Sequence, residues 1–264
     1  MKASGLFTAI AAAMATLCLV PASYAANGCA VKSGPATAAL VELYTSEGCS
    51  SCPAADRQLN GLRRALDPAA VVVPLALHVT YWDQIGWKDV FAQKAFDARQ
   101  AWLLESALHK VAYTPQFFVN GSELRDWRAD LPAAVRRTNA VPAALTITLK
   151  TGAADAGSLL LEVTVNAPDQ RTAGALYVVL SESALVSQVL RGENRGAMLR
   201  HDATARLWLG PFALAGGSAH LRQQVALPTG WRRELLQAAA FVQGPDARIL
   251  QAVSTAQCQT IASL

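Results

Sequence analysis

The chain has 264 residues, of which 52% are hydrophobic and 16% are charged, and its formal net charge is +4. This composition is typical of a packed globular protein and excludes a disordered chain. Because the arginines are scattered and form no basic run, we expect no nucleic-acid partner and no charged membrane-binding patch.

The N-terminal segment has the pattern of a secretory signal. Lys2 gives a positive start, residues 6–20 are almost wholly apolar, and Ser23 and Ala25 are the small residues that a signal peptidase reads. The apolar stretch is shorter than the roughly 20 residues that a membrane-spanning helix needs. We therefore predict a signal peptide over residues 1–25, a periplasmic or secreted protein, and no membrane insertion after cleavage; a retained anchor is the alternative.

An α/β domain is predicted over residues 26–141. A short buried strand over 39–46 leads into the sequence Cys-Ser-Ser-Cys-Pro, and a helix with a single apolar stripe follows to about residue 66. The next strand, over 71–79, contains Pro74, which lacks a donor for the strand ladder. We therefore expect this strand to lie at a sheet edge or to begin late.

The rest of this domain begins with an aromatic-rich loop over 81–89 and a helix over 90–110. A short strand over 117–119 precedes Asn120-Gly121, a dipeptide that favours a tight hairpin turn because both residues tolerate positive φ. One further helix completes the domain. The predicted order is strand, helix, strand, helix, strand, strand, helix.

Residues 142–264 have a different texture. Short stretches of alternating apolar and polar residues recur between glycines and prolines, among them 145–149, 159–165 and 221–225. This pattern predicts a mostly antiparallel, sandwich-like β domain. The whole chain is therefore expected to be an α/β protein of two domains.

Four of the five cysteines lie outside the predicted signal peptide, and two of them, Cys49 and Cys52, form a Cys-x-x-Cys pair. The pair stands between a strand end and a helix start, where the helix dipole and unpaired N–H groups stabilise a thiolate. Since the thiolate is the attacking species in disulfide exchange, we predict Cys49 as a reachable nucleophile and Cys52 as the resolving thiol. An inert disulfide turn and half of a zinc site are the alternatives, although no second Cys-x-x-Cys pair exists.

The other two mature cysteines, Cys29 and Cys258, stand near the two ends of the predicted mature chain. We predict a structural disulfide between them that locks the β domain against the first domain. The alternative is a free Cys258 that acts on the Cys49–Cys52 disulfide.

Four stretches of the sequence resemble a secreted bacterial family that is known only as domain of unknown function 1223. They are residues 41–56, 78–89 and 113–121 of the first half and residues 191–196 of the second half, the last followed by His201. The resemblance implies a thioredoxin-like fold for the first half, and it supplies no substrate.

The thioredoxin-like fold has a cis-proline beside its cysteine pair, and Thr114-Pro115 resembles that feature. The backbone of Thr114 and Pro115 would then pair with an extended substrate strand; an ordinary trans proline at a strand start is the alternative. Thr80 departs from the family, which often carries Asp at this position. That departure puts in doubt a buried carboxylate that could accept a proton.

Other candidate site residues follow the second predicted strand. His78 titrates near neutral pH and would tune the nucleophile or carry protons, with a hydrogen-bonded structural histidine as the alternative. Asp83 is a second candidate for tuning, or it caps the loop. Trp82, with Trp87, would form an apolar wall for a substrate peptide or pack in the core.

A polar loop bounded by Gly192 and Gly196 is expected to be a surface turn. The alternative is a cradle for an anionic ligand, with Arg195 as its partner. His201 follows this loop and would either act on the cleft or serve a structural role.

These features predict a thiol–disulfide oxidoreductase that acts on the thiols and disulfides of client proteins or peptides and needs no cofactor. Two alternatives are open. A copper-handling protein would use both thiolates with His78 as a third ligand, although four histidines without close pairing predict no dedicated metal site. A non-catalytic interaction protein would keep the Cys49–Cys52 disulfide permanently closed.

Overall fold

The computed structural model describes residues 28–109, 111–155 and 157–261. The predicted signal peptide over residues 1–25 lies outside the described residues, so its cleavage stays a prediction. None of the described helices is long and apolar enough to cross a membrane.

The first half of the chain follows the predicted order of elements, with one additional strand at its start. Its strands are β1 (Cys29–Lys32), β2 (Ala39–Thr45), β3 (Val72–His78), β4 (Gln116–Val119) and β5 (Ser122–Leu124). Its helices are α1 (Cys52–Ala65), α2 (Lys94–Ser106) and α3 (Trp127–Asn139), with a 3₁₀ helix over Thr80–Ile85 in the aromatic-rich loop.

The second half consists mainly of strands. They are β6 (Thr146–Asp155), β7 (Ser158–Asn166), β8 (Ala175–Glu182), β9 (Leu185–Gln188), β10 (Met198–His201), β11 (Thr204–Ala213), β12 (Ser218–Ala226), β13 (Leu236–Gln243) and β14 (Ile249–Ser254). A 3₁₀ helix covers Arg233–Leu235, and α4 (Ala256–Ile261) ends the described chain.

One eight-stranded sheet, in the order β14-β13-β8-β11-β3-β2-β4-β5, contains strands from both halves. β2 and β3 are parallel, β4 is antiparallel to β2, and β5 is antiparallel to β4. The halves join where Thr204 of β11 pairs with Ala76 of β3, and Ala76 N donates a hydrogen bond of 2.9 Å to Ala203 O. This mixed sheet confirms the α/β fold class, whereas the domain boundary after residue 141 stays a prediction.

β3 is an interior strand that begins before Pro74, so the expected edge position or late start is wrong. Its neighbour β11 meets it only near Ala76, whose N–H points toward β11. Because alternate residues of a strand direct their N–H groups to the same side, the missing donor of Pro74 faces a stretch that β11 does not reach. The proline therefore removes no hydrogen bond from the ladder.

Helices cover both faces of the parallel part of the sheet, where β2 is buried at every residue. Val41 and Leu43 belong to the core beneath α1 and α3, and Leu40 and Tyr44 belong to the core beneath α2. Burial of both faces explains the continuous apolar run in the sequence. The predicted apolar stripe of α1 is confirmed, since each of its residues is buried: Ala55, Leu59, Leu62 and Leu66.

A second layer forms the sandwich-like part of the molecule. The antiparallel sheet β1-β6-β7-β12 packs against the β8, β13 and β14 end of the large sheet. Side chains of both sheets interdigitate in one buried core, among them Ile147, Leu149, Leu161, Val163, Val178, Leu180, Ala240 and Val242. This arrangement agrees with the predicted antiparallel architecture of the second half.

The predicted hairpin turn is confirmed between β4 and β5. Asn120 has φ 50° and Gly121 has φ 85°, the positive values that the sequence led us to expect. Gly121 is also required by space, because a Cβ atom there would lie 2.0 Å from Ala247 O.

The disulfide predicted between Cys29 and Cys258 is present, with its Cα atoms 6.0 Å apart. It joins β1 to α4 across 229 residues of sequence. Both cysteines pack against the core of the sandwich, so the bond ties the two ends of the described chain to the same core.

We expect the double variant Cys29→Ser/Cys258→Ser to lose about 5 kcal/mol of unfolding free energy, because a disulfide that closes so long a loop strongly restricts the unfolded chain. Urea unfolding measures this loss. Each single variant opens the same loop, so either should account for most of the effect. A double variant within about 1 kcal/mol of the wild type would contradict the expectation.

Candidate functional site

The Cys49–Cys52 pair lies at the amino end of α1, as predicted. The two residues form a disulfide with their Cα atoms 5.4 Å apart, four residues after β2 ends at Thr45. Cys52 begins α1 and Pro53 occupies its first turn, where the absent N–H is not needed. The turn is closed by hydrogen bonds of 3.2 Å from Cys49 N to Ser46 O and from Cys52 N to Cys49 O.

Both cysteines are fully buried, with 0% of their surface exposed. The prediction of a reachable Cys49 is therefore wrong for this structure. Only the intervening residues Ser50 and Ser51 face solvent. A segment from the second half of the chain is hydrogen-bonded to this turn.

We call residues 191–196 the cover; they connect β9 to β10 above the disulfide. The side-chain amide of Asn194 donates hydrogen bonds to Cys49 O at 2.9 Å and to Glu47 O at 2.8 Å. The carboxylate of Glu193 accepts a hydrogen bond of 2.9 Å from Ser50 N. The expected surface turn is confirmed, since these residues form a turn and all but Asn194 are exposed. The same loop also holds the turn that carries the disulfide.

The backbone of the cover fits closely against the aromatic-rich loop. Gly192 has φ 74°, and a Cβ atom there would lie 3.3 Å from Trp87 Cβ. Farther along, Asn60 of α1 donates to Arg200 O at 3.1 Å and accepts from Asp202 N at 3.3 Å. The cover therefore packs against the aromatic-rich loop, and the strand that follows it is bonded to α1.

A buried carboxylate, Glu47, lies two residues before Cys49. It accepts a hydrogen bond of 2.7 Å from the indole of Trp87 and lies 3.1 Å from Nε2 of His201. Glu47 and His201 are 1% and 2% exposed. His201 thus has a buried partner from the first half of the chain, and together they link β10 to the segment that carries the cysteines.

His78, a candidate tuning residue, lies in the same buried region at the end of β3. Its Nδ1 is 2.6 Å from Asp89 Oδ2, and its ring packs edge-on against His201 with centroids 5.0 Å apart. Burial by itself lowers the pKa of His78, but the buried carboxylates around it, first that of Asp89, outweigh this effect and raise it. His78 Nε2 has no hydrogen-bond partner among the described residues.

Asp89 connects the histidine to the cysteine turn. Its carboxylate accepts hydrogen bonds of 2.9 Å from Glu47 N and from Phe91 N. Burial by itself raises the pKa of Asp89, but the charge and hydrogen bond of His78 and these backbone donors bring it below its ordinary value.

Asp56 lies one helical turn after Cys52 on α1 and is only 6% exposed. Thr45 donates a hydroxyl hydrogen bond of 2.9 Å to it. Burial raises the pKa of Asp56, and the nearby His78 and His201 only partly offset that rise. From the sequence we expected Asp56 to favour the helix start and gave it no catalytic role, because its charge would oppose a thiolate. The burial of Asp56, Glu47 and Asp89 was not expected, because acidic side chains are usually exposed.

The departure of Thr80 from the family put in doubt the presence of a buried carboxylate at the site. The structure nevertheless contains buried carboxylates near the disulfide, which are those of Glu47, Asp56 and Asp89. Thr80 itself bonds through its backbone N to Asp97 Oδ1 at 2.8 Å and through its hydroxyl to Asp97 Oδ2.

The candidate substrate-binding residues Thr114 and Pro115 lie at the amino end of β4, and the peptide bond between them is cis. Gln116 pairs with Tyr44 of β2, so Pro115 and the segment leading to Cys49 leave the sheet at the same end. Thr114 and Pro115 are half-buried, and Thr114 Oγ1 has no hydrogen-bond partner within the described part of the chain.

Trp82 and Asp83 lie in the 3₁₀ helix beside the cysteine turn. A Cβ atom at Gly48 would lie 3.5 Å from Trp82 Cβ, and the half-buried indole packs against the core beneath α2. Asp83 accepts a hydrogen bond of 3.1 Å from Asp89 N, which is the loop-capping contact expected as the alternative to tuning.

Within residues 28–109, 111–155 and 157–261, no group of three or more His, Cys, Asp or Glu side chains is arranged to hold a metal ion. Both thiols of the proposed copper site are joined in the disulfide, and His78 is bonded to Asp89. No feature of the described site favours the copper alternative.

Comparison with known proteins gives one family and two related structures. The family model described as "Protein of unknown function (DUF1223)" matches residues 40–243, and no curated protein matches. The chain is similar to the crystal structure of protein AGR_C_4864 from Agrobacterium tumefaciens, with 20% identity and a TM-score of 0.62 over 84% of this chain and 95% of that one. It is also similar to HBP35 of Porphyromonas gingivalis, with 17% identity and a TM-score of 0.65 over 84% of this chain and 76% of that one.

We expect Asp56→Asn to be more stable than the wild type at pH 7. A raised folded-state pKa means that the wild type loses stability as the pH rises from the ordinary value of 3.8 through the folded-state value. Asn keeps an oxygen for the Thr45 hydroxyl but carries no charge. The gain is roughly 1.4 kcal/mol for each unit by which the folded-state pKa is raised.

Urea unfolding between pH 3 and pH 8 measures this gain, which should vanish below the ordinary pKa of an aspartate, about 4. Asp130→Asn, at an exposed position of α3, is the control and should follow the wild type throughout. A variant less stable than the wild type at pH 7 and unchanged at low pH would show that ionised Asp56 stabilises the fold.

Proposed function

We propose that this chain, which belongs to the DUF1223 family of proteins of unknown function, is a thiol–disulfide oxidoreductase that exchanges the Cys49–Cys52 disulfide with client proteins. One observation carries the proposal. The disulfide joins the first turn of α1 to the turn that follows β2, and the titratable side chains Asp56, His78 and Asp89 are buried in the same region.

The order of elements supports a thioredoxin-like first half. From β2 to α3 the chain runs strand, helix, strand, helix, strand, strand, helix, and its strands have the spatial order β3-β2-β4-β5. β2 and β3 are parallel and the last two strands are antiparallel. The Cys-x-x-Cys pair follows the first strand of this unit, and Thr114-Pro115 precedes its third.

The exchange starts from the closed disulfide. A client thiolate attacks the sulfur of Cys49, a Cys49–client bond forms, and Cys52 leaves as a thiolate that takes up a proton. A second client thiolate then attacks the client sulfur of this mixed disulfide and releases Cys49. The client gains a disulfide, the pair becomes a dithiol, and a disulfide-bearing partner reoxidises it; the same steps in reverse reduce a client.

We propose Asp56 as the donor of the proton that the Cys52 thiolate takes up. It lies one turn after Cys52 on the same helix, and burial raises its pKa, so it holds a proton at a higher pH than an exposed carboxyl does. His78 and Asp89 form the neighbouring buried pair, which stabilises charge near the cysteine turn when the thiolate forms.

Reaction at Cys49 requires that the cover move, because the sulfur is buried. Loss of the three hydrogen bonds made by Glu193 and Asn194 would expose the turn. We propose that a client strand then pairs beside Thr114 and Pro115, with Trp82 as an apolar wall. These three residues stay candidates for substrate binding.

We further propose that the protein works outside the cytoplasm. The N-terminal sequence has the order of a secretory signal, and the described chain contains two disulfides. Disulfides persist in oxidising compartments such as the periplasm. A periplasmic or secreted location therefore fits both observations.

A second candidate is a non-catalytic interaction protein with a structural disulfide at this position. Complete burial of Cys49 and Cys52 favours it, because inert structural cysteines are typically buried. The two candidates differ in whether Cys49 ever reaches a client sulfur.

We expect Cys52→Ala to accumulate mixed disulfides between Cys49 and client proteins, because the thiol that releases the client is absent. The variant is expressed in its own cell envelope, thiols are blocked by acid quenching, and covalent complexes are separated without reductant and identified by mass spectrometry. Cys49→Ala is the matched control and should capture far less, since Cys52 lies farther inside the helix.

A second form of the trap, Cys52→Ala/Asn194→Ala, tests the requirement for opening. It should capture more than Cys52→Ala because two of the hydrogen bonds that hold the cover are gone. Absence of complexes with both forms, in protein that is folded by circular dichroism and correctly exported, would favour the structural-disulfide candidate.

A further inference from the structure

We propose that the clients of this site carry acidic residues next to their reactive cysteines, and that a groove of unpaired arginines beside the disulfide selects them. The inference rests on the proposed function, since it names the class of peptide that the Cys49–Cys52 pair would take. Two separate observations lead to it, one in the groove and one in the cover.

The groove lies between α1 and β10 and begins at Pro53, the residue after Cys52. It is a cavity of about 470 Å³. We call it the arginine groove; its lining residues include Arg57, Asn60, Arg64, Met198, Arg200 and Asp202. It is therefore continuous with the helix turn that holds the disulfide.

Three guanidinium groups set the charge of the arginine groove. Arg57, Arg64 and Arg200 are all exposed, and none forms an ion pair with a carboxylate of the described chain. Arg57 and Arg64 are seven residues apart on one face of α1, about 10 Å along the helix axis. That spacing suits an extended peptide with more than one carboxylate.

The acidic groups of the groove do not cancel this charge. Asp202 is one carboxylate against three guanidinium groups, and it accepts a hydrogen bond of 2.8 Å from Ala184 N. Asp56 also lines the cavity, but burial raises its pKa. Some arginines elsewhere on the surface lie beside carboxylates, as in the pairs Arg125–Glu123, Arg171–Asp169 and Arg248–Asp246. The three arginines of the groove differ in that they share one cavity.

The cover supplies the second observation, because its own acidic side chain occupies the turn beside the disulfide. Glu193 Oε2 accepts the hydrogen bond from Ser50 N at 2.9 Å. Hydrogen bonds from the Ser50 hydroxyl and its backbone N–H lower the pKa of Glu193, so the turn favours the charged form. When the cover leaves, Ser50 N is free for a carboxylate of the client, and Glu193 is the internal counterpart of that group.

Together the two contacts define a peptide with one acidic residue for the Ser50 N–H and further acidic residues for the arginine groove. Electrostatic attraction of this kind raises the rate of encounter by ten- to a thousandfold, and salt weakens it. Selection by charge needs no deep pocket for a particular side chain, so it permits many client sequences of one class.

The test compares three dithiol peptides that differ only in the residues around their cysteines, which are Asp and Glu, Asn and Gln, or Lys. The rate of their oxidation by the protein gives kcat/KM for each. We expect the acidic peptide to exceed the neutral one by about tenfold at low ionic strength, the lysine peptide to be slowest, and the differences to shrink as salt is added.

Two triple variants identify the groups responsible. In Arg57→Gln/Arg64→Gln/Arg200→Gln the ratio of acidic to neutral peptide should fall toward one. Arg128→Gln/Arg136→Gln/Arg222→Gln removes the same number of positive charges from positions outside the groove. This control should keep the wild-type ratio. The ratio within each protein also cancels any intrinsic effect of acidic neighbours on the reactivity of the peptide thiols.

Equal rates for all three peptides, or an unchanged ratio in the groove variant, would overturn the inference and leave the oxidoreductase proposal intact. If no peptide reacts, the proposed function fails, and the groove is tested by binding alone. Fluorescence anisotropy with Ser in place of both peptide cysteines should show tighter binding of the acidic peptide to the Asn194→Ala protein. Equal binding of acidic and neutral peptides would overturn the inference on this measurement also.

Discussion

The side-chain amide of Asn194 holds the turn on which the rest of the site depends. It binds the carbonyl of Cys49 across 145 residues of sequence, and the carbonyl of Glu47 through the same nitrogen. With Glu193 on Ser50 N, it ties the turn of the fully buried Cys49–Cys52 disulfide to the second half of the chain. The position of the cysteine turn therefore depends on contacts from the second half of the chain.

Near the disulfide, buried polar side chains are paired with one another. His78 with Asp89 and His201 with Glu47 form two buried pairs, and backbone donors satisfy further carboxylate oxygens. Removing one partner of such a pair leaves a buried polar group without a hydrogen bond, which costs about 1–3 kcal/mol. The same pairs join β3, β10 and the cysteine turn, so the electrostatics that would tune a thiolate also fix the position of the cover.

Short sequence patterns correctly predicted those elements whose structure is determined by residues that are close together in the chain. The apolar run of β2, the stripe of α1 and the Asn120-Gly121 turn each follow from a few adjacent residues, and all are present. The cover could not be predicted this way, because Asn194 and Cys49 meet only after the two halves join through β3 and β11. Pro74 was misjudged for the same reason, since the reach of β11 decides whether its missing donor matters.

The most direct test of the cover is the rate at which a small uncharged thiol reduces the Cys49–Cys52 disulfide, in the wild type and in Asn194→Ala, by alkylation and mass spectrometry. Reduction of Cys29–Cys258 in the same samples is the internal reference, and Asn166→Ala, at an exposed position of β7, is the control variant. The account predicts at least about tenfold faster reduction of Cys49–Cys52 in Asn194→Ala, the effect of losing roughly 1.4 kcal/mol of hydrogen bonding, with the reference unchanged. Equal rates in both proteins, as fast as in the urea-unfolded chain, would contradict it.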